Sequence, residues 1–134
     1  MGSFELEIKQ EFLVEALMNV EEVQALFAKH ESTGNSSAIL EKMFFVAHNL
    51  KGGSLSVGFN EIAELTNNLE TLILKVKNDE IKLSPKIIST VLRSNLRLVE
   101  MLQTLQANFS ASFDNKDFMS DIQSCYVNDS EIAN

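Results

Sequence analysis

The chain has 134 residues, a formal net charge of -8 at pH 7, and 45% hydrophobic against 22% charged residues. That length suits one domain with a real core, and that composition excludes a wholly disordered chain. Nineteen acidic against eleven basic residues repel phosphate backbones and anionic lipid, so neither nucleic acid nor a membrane surface is an expected partner.

The five glycines and one proline exclude collagen-like and proline-rich architectures. Cys125 is the one cysteine, which fits a reducing, cytoplasmic compartment. No apolar run approaches the roughly 20 residues of a spanning helix. The opening Met-Gly-Ser-Phe-Glu lacks a basic stretch followed by an apolar one, so no signal peptide is expected.

Apolar spacing is helical almost throughout. The first stripe is Phe4, Ile8, Phe12, Leu13, Ala16, Leu17, Val20, Val23, Leu26 and Phe27, and it predicts a helix ending near His30. His30 there is read as a helix-end residue that suits the dipole. A polar stretch over 31–37 follows, with Ser36 or Ser37 as the next N-cap. The second helix runs from about Ala38 to Val57, with Leu40, Met43, Phe44, Ala47, Leu50 and Ser54 inward and Gly58 as its stop. Asn60 is expected to cap a third helix that buries Ile62, Leu65, Leu69, Leu72, Ile73 and Val76. Asn78, Asp79 and Glu80 break that pattern. Ser84-Pro85 then starts a fourth helix, with Ile88, Val91, Leu92, Leu98, Val99, Leu102, Leu105 and Phe109 inward. Ser110 to Ser112 is a short link. Asp114 is expected to cap a shorter fifth helix with Phe118, Met119, Ile122 and Cys125 inward, and 127–134 reads as a frayed tail. The expected fold is all-α, an up-down four-helix bundle with an additional C-terminal fifth helix.

One stretch is odd for a bundle helix: His48-Asn49-Leu50-Lys51-Gly52-Gly53. Each mid-helix glycine costs about 1 kcal/mol relative to alanine, which close helix packing or close approach of a partner would offset. With Ala47 at the centre of the buried face, His48 lies about 100° and Gly52 about 140° round one side, while Gly53 lies about 120° round the other. Phe45 falls about 160° from that centre, either as scattered surface apolarity or as part of a docking patch. His48 stands ten residues before Gly58 and Glu70 eleven after Phe59. In an antiparallel pair both then sit roughly 15–17 Å from the bend. Glu70 flanks the core position Leu69, so it can meet His48 across the groove. A carboxylate accepting from Nδ1–H leaves Nε2 unprotonated and outward, as a nucleophilic imidazole requires. Lys51, one turn from His48, would offer positive charge to an incoming phosphoryl group.

These residues, with Val57-Gly58-Phe59, resemble the signature of histidine phosphotransfer (HPt) domains, His-x-Leu/Ile-Lys-Gly-Gly/Ser followed by Gly-Phe. The subgroup they most resemble is the N-terminal phosphotransfer domain of chemotaxis histidine kinases (CheA), and the likeness spans most of residues 4–126. The resemblance implies phosphorylation of His48, assistance by Lys51, a hydrogen bond accepted by Glu70 from the histidine, and room for a partner at Gly52 and Gly53. Chemotaxis kinases often carry a second histidine where this chain has Asn67, which cannot titrate.

The expected function is therefore a phosphocarrier. It accepts a phosphoryl group on His48 from a histidine kinase catalytic domain and passes it to an aspartate of a response-regulator receiver domain. No nucleotide-binding glycine loop is present, so no cofactor is expected here; ATP and magnesium belong to the partner domains. No Cys/His cluster has zinc spacing. The isolated domain is expected to be a monomer. The chain could be the first domain of a chemotaxis-type kinase whose core follows Asn134, or a module of a hybrid-kinase relay. A non-catalytic interaction bundle is the competing class. A hydrolytic or metal enzyme would need a second acid or base near His48, and only Glu70 is offered.

Overall fold

A computed structural model describes the backbone of residues 2–33 and 36–126, and the side chains of 2–29 and 36–126. It shows five helices: α1 (Ser3–Thr33), α2 (Ser36–Val57), α3 (Asn60–Lys77), α4 (Pro85–Ala107) and α5 (Lys116–Ser124). Consecutive helices pack on one another, and α4 returns to α1, which closes the ring of four. The fifth helix packs on α3 and α4. One apolar core runs through all of them, from Leu13, Val20 and Val23 through Met43, Leu65, Leu69 and Leu72 to Leu98, Leu102 and Ile122.

The ends of the helices follow local chemistry. Gly58 adopts φ +87° directly after α2, and the Phe59 N–H donates to the Ser54 carbonyl at 2.9 Å. That is a Schellman stop, which needs a left-handed residue at Gly58. The same motif ends α3. Asp79 has φ 59°, and the Glu80 N–H donates to the Lys75 carbonyl at 2.9 Å. At the start of α4, Ser84 accepts from the Ile87 N–H at 3.3 Å, with Pro85 in the first helical position.

Several expectations need correction. Phe4 is 71% exposed and Ile8 is also exposed, so the first turns of α1 do not join the core stripe. At 31 residues, α1 is nine longer than α2. The Lys9 ammonium already lies over Phe59 at the α2–α3 turn, so residues 3–8 extend past the end of the bundle. That helix continues to Thr33, beyond His30, whose side chain lies outside the described residues. Ser36 is the first residue of α2 rather than its cap. Asn60 likewise begins α3, and the cap position is held by Phe59 without a side-chain bond. In α5 the cap position is Asn115, while Asp114 Oδ1 accepts the N–H of Lys116 at 3.0 Å. Phe109 falls beyond α4 and is half-buried. The expected frayed tail, 127–134, lies outside the described residues. Cys125 is buried as expected, its thiol 3.5 Å from Thr90 Oγ1.

Candidate functional site

The site begins with two buried neighbours. On α2, Ala47 and Leu50 point into the core and thereby turn His48 outward. On α3, the fully buried Leu69 sets Glu70 at the rim of the groove between the two helices. His48 Nδ1 lies 3.0 Å from Glu70 Oε2, and Lys51 Nζ lies 3.1 Å from Glu70 Oε1. The Glu70 side chain is only 12% exposed, against 60% for His48. One carboxylate thus holds both donors, one on each oxygen.

An ionised carboxylate only accepts hydrogen bonds, so a neutral His48 must carry its proton on Nδ1 to make this contact. Nε2 then keeps its lone pair, on the exposed side of the ring. An imidazole held in this way can act as a nucleophile through Nε2, with its Nδ1 edge anchored. Sequence spacing placed His48 and Glu70 at equal height, and they meet. It did not give Lys51 a partner within the fold; the structure pairs Lys51 with Glu70.

The two glycines separate. A Cβ on Gly52 would meet nothing within 4 Å, so this position is open surface. A Cβ on Gly53 would lie 2.5 Å from Phe12 Cε1. The expectation that Gly53 leaves room for a partner is therefore corrected: its open space is filled by α1. The physical reason is its place on the opposite flank of α2, where α1 packs. Gly53 is a packing glycine, Gly52 a surface one.

Around His48 the surface carries apolar side chains. Phe45, one turn before it, is 56% exposed, as its outward position predicted. Leu55, three residues past Gly52, is 60% exposed and was not singled out from the sequence. Its place about 80° from Ala47, on the same side as His48, was the signal available. Asn67 is exposed one turn before Glu70, its carbonyl accepting from Thr71 Oγ1 at 3.0 Å. Phe44, counted as core, is only half-buried, and its ring lies beside that of His48. A cavity of about 310 Å³, lined by Gly58, Phe59, Phe109 and Phe113 among others, opens at the far end of α2 instead. His48 itself stands on the exposed face of α2, with 60% of its side chain open to solvent. Among the described residues, no three His, Cys, Asp or Glu side chains gather as a metal site.

The Hpt domain family model matches residues 7–108. The chain belongs to the Hpt domain family. Sensor histidine kinase CheAY of Helicobacter pylori is 32% identical over 99 residues, which cover 74% of this chain and 12% of that protein. Chemotaxis protein CheA of Klebsiella aerogenes is 35% identical over 78 residues, covering 56% of this chain and 12% of that protein. This Hpt chain thus spans about an eighth of the length of these curated relatives. A solved structure, the phosphorylated P1 domain of CheA3 in complex with CheY6 from R. sphaeroides, matches with a TM-score of 0.76 at 19% identity. The match covers 88% of this chain and 94% of that one and shows the bundle architecture. Among the described residues, no helix of the Hpt chain is long and apolar enough to cross a membrane.

Proposed function

We propose that this Hpt domain is a phosphocarrier in a chemotaxis-type two-component pathway, with His48 as its phosphoacceptor. The observation that carries the reading is the Glu70 carboxylate on His48 Nδ1, which leaves Nε2 as an outward nucleophile. The Nε2 lone pair attacks the γ-phosphorus of ATP held by a histidine kinase catalytic domain. An N–P bond forms, the P–O bond to ADP breaks, and positive charge develops on the ring. Glu70 stabilises that charge through the Nδ1–H it already binds. In the second step a receiver aspartate oxygen attacks phosphorus, the N–P bond breaks, and the electron pair returns to Nε2.

The bundle supplies position and a charged carboxylate, while nucleotide and metal chemistry belong to the partners. Lys51, one turn from His48 and held on the same carboxylate, offers a cation to steady the transferred group. The open helix face at Phe45, Gly52 and Leu55 gives a partner close access to Nε2. Relatives named as a sensor histidine kinase and a chemotaxis protein favour the chemotaxis setting over a hybrid-kinase relay, and with it a cytoplasmic location.

The test is a two-step transfer. The domain is incubated with labelled ATP and a CheA kinase core lacking its own phosphotransfer domain, then with a CheY-type receiver. Label should appear on the wild type, move to the receiver, and be absent from His48→Gln. Label on His48→Gln, or none on a folded wild type, would overturn the reading.

A further inference from the structure

One hydrogen bond fixes a point on a ring but not its plane. His48 is held by Glu70 at Nδ1 alone, and 60% of its side chain is exposed. Rotation about that contact would sweep the Nε2 lone pair through a wide arc. Something else must restrain the ring if Nε2 is to face an incoming phosphorus.

Phe44 lies one helical turn before His48, on the same side of α2. Its ring is nearly parallel to the imidazole, at 19° with centroids 6.2 Å apart. That geometry is offset stacking. Phe44 is in turn held from α3: the Lys77 ammonium stands 4.5 Å from its ring centroid, within cation–π reach. Phe45 meets the same ring edge-on at 6.0 Å and 67°. Glu70 and Lys77 are two turns apart on α3 and so share a face. The third helix therefore reaches across both to the imidazole and to the ring stacked beside it.

We propose that Phe44, held by Lys77, is a positioning residue that fixes the plane of the His48 imidazole and so aims Nε2. This rests on the reading of His48 as phosphoacceptor. The Lys77–Phe44–His48 stack and the Glu70 hydrogen bond are two restraints on one ring. Together they leave only the Nε2 edge unrestrained.

The test has two readouts. The first is the pair of His48 ring-nitrogen shifts, read by long-range proton–nitrogen correlation at about pH 8, where an imidazole is ordinarily neutral. His48→Gln assigns the signals, since the chain has two histidines. The second is the rate of phosphorylation by phosphoramidate. The wild type should show one tautomer, protonated at Nδ1. In Phe44→Leu the two nitrogen shifts should converge and the rate fall about fivefold or more, with the fold retained by circular dichroism. Phe44→Tyr should restore both. Lys77→Gln, at an exposed position, should move both readouts the same way by less, and Lys77→Arg should not; this pair decides the matter if Phe44→Leu fails to fold. Wild-type shifts and rate in both Phe44→Leu and Lys77→Gln would overturn the proposal. A wild type that takes no phosphate would instead defeat the phosphoacceptor reading, while the nitrogen shifts still decide whether Phe44 positions the ring.

Discussion

Glu70 is the residue through which the site is organised. Its two oxygens serve two donors from the neighbouring helix, and its side chain is mostly withdrawn from solvent. Glu70→Gln keeps the size but turns one accepting oxygen into a donating amide. It can no longer receive both His48 and Lys51. Phosphorylation of His48 should then fall by about tenfold or more, measured as the initial rate with phosphoramidate, with little change in helix content. The pairing of His48 with Glu70 was legible in the sequence because equal distances from the Gly58-Phe59 turn fix equal heights. The Lys51 contact was not. Lysine has a long, flexible stem, and spacing alone does not say which of several nearby acceptors it takes. The Phe44 stack was hidden for another reason. A half-buried aromatic on the edge of a core stripe reads as core by periodicity.

At the scale of the helix, the paired glycines of α2 make a sharp contrast. Gly52→Ala adds a methyl to open space and removes a mid-helix glycine, so it should stabilise the fold by up to about 1 kcal/mol. Gly53→Ala drives a methyl into the Phe12 ring and should cost about 1–3 kcal/mol. Thermal or urea unfolding of the two variants checks this; equal effects would contradict the assignment of one glycine to packing and the other to the surface. The same wheel that placed Gly53 on the far flank did not say that α1 lies there, since neighbour order in a ring of helices is not written in one helix's periodicity. Caps show a similar divide. Ser84 was legible because Ser-Pro is a strong start signal, and Ser84→Ala should cost about 1 kcal/mol in the same unfolding assay. Asn60 was misplaced by one residue because the Schellman turn at Gly58 and Phe59 passes directly into α3 without a side-chain cap.

For the whole molecule, one continuous core joins the four bundle helices to α5. Unfolding should therefore be a single cooperative transition. Leu98→Ala, at a fully buried site, should cost about 2–5 kcal/mol. The apolar part of this core was largely legible from three-and-four spacing. Its polar part, Ser54 apart, was not. Asn95 and Ser94 are buried on α4, and Asn95 Nδ2 donates to the Val20 carbonyl of α1 at 2.9 Å. A polar side chain that donates across a helix interface has no periodic signature. The end of the described chain reports on the packing of α5. Burial, and then the neighbouring Cys125 thiol, raise the Tyr126 phenol above its ordinary value of 10.0. The fold thus favours the neutral phenol. Its contribution to stability is present below the unfolded value and is lost as pH rises through the higher folded value. The chain has one tyrosine, so phenolate absorbance should titrate above 10.0 in the native protein and fall back to the ordinary value in denaturant.

The central claim is that His48 carries the phosphoryl group. It is tested most directly by intact mass after incubation with phosphoramidate, which needs neither kinase nor receiver. Wild type should gain one phosphate, labile in acid and stable in alkali, and His48→Gln should gain none. A folded wild type that gains no phosphate, or a His48→Gln variant labelled equally through His30, would contradict the account.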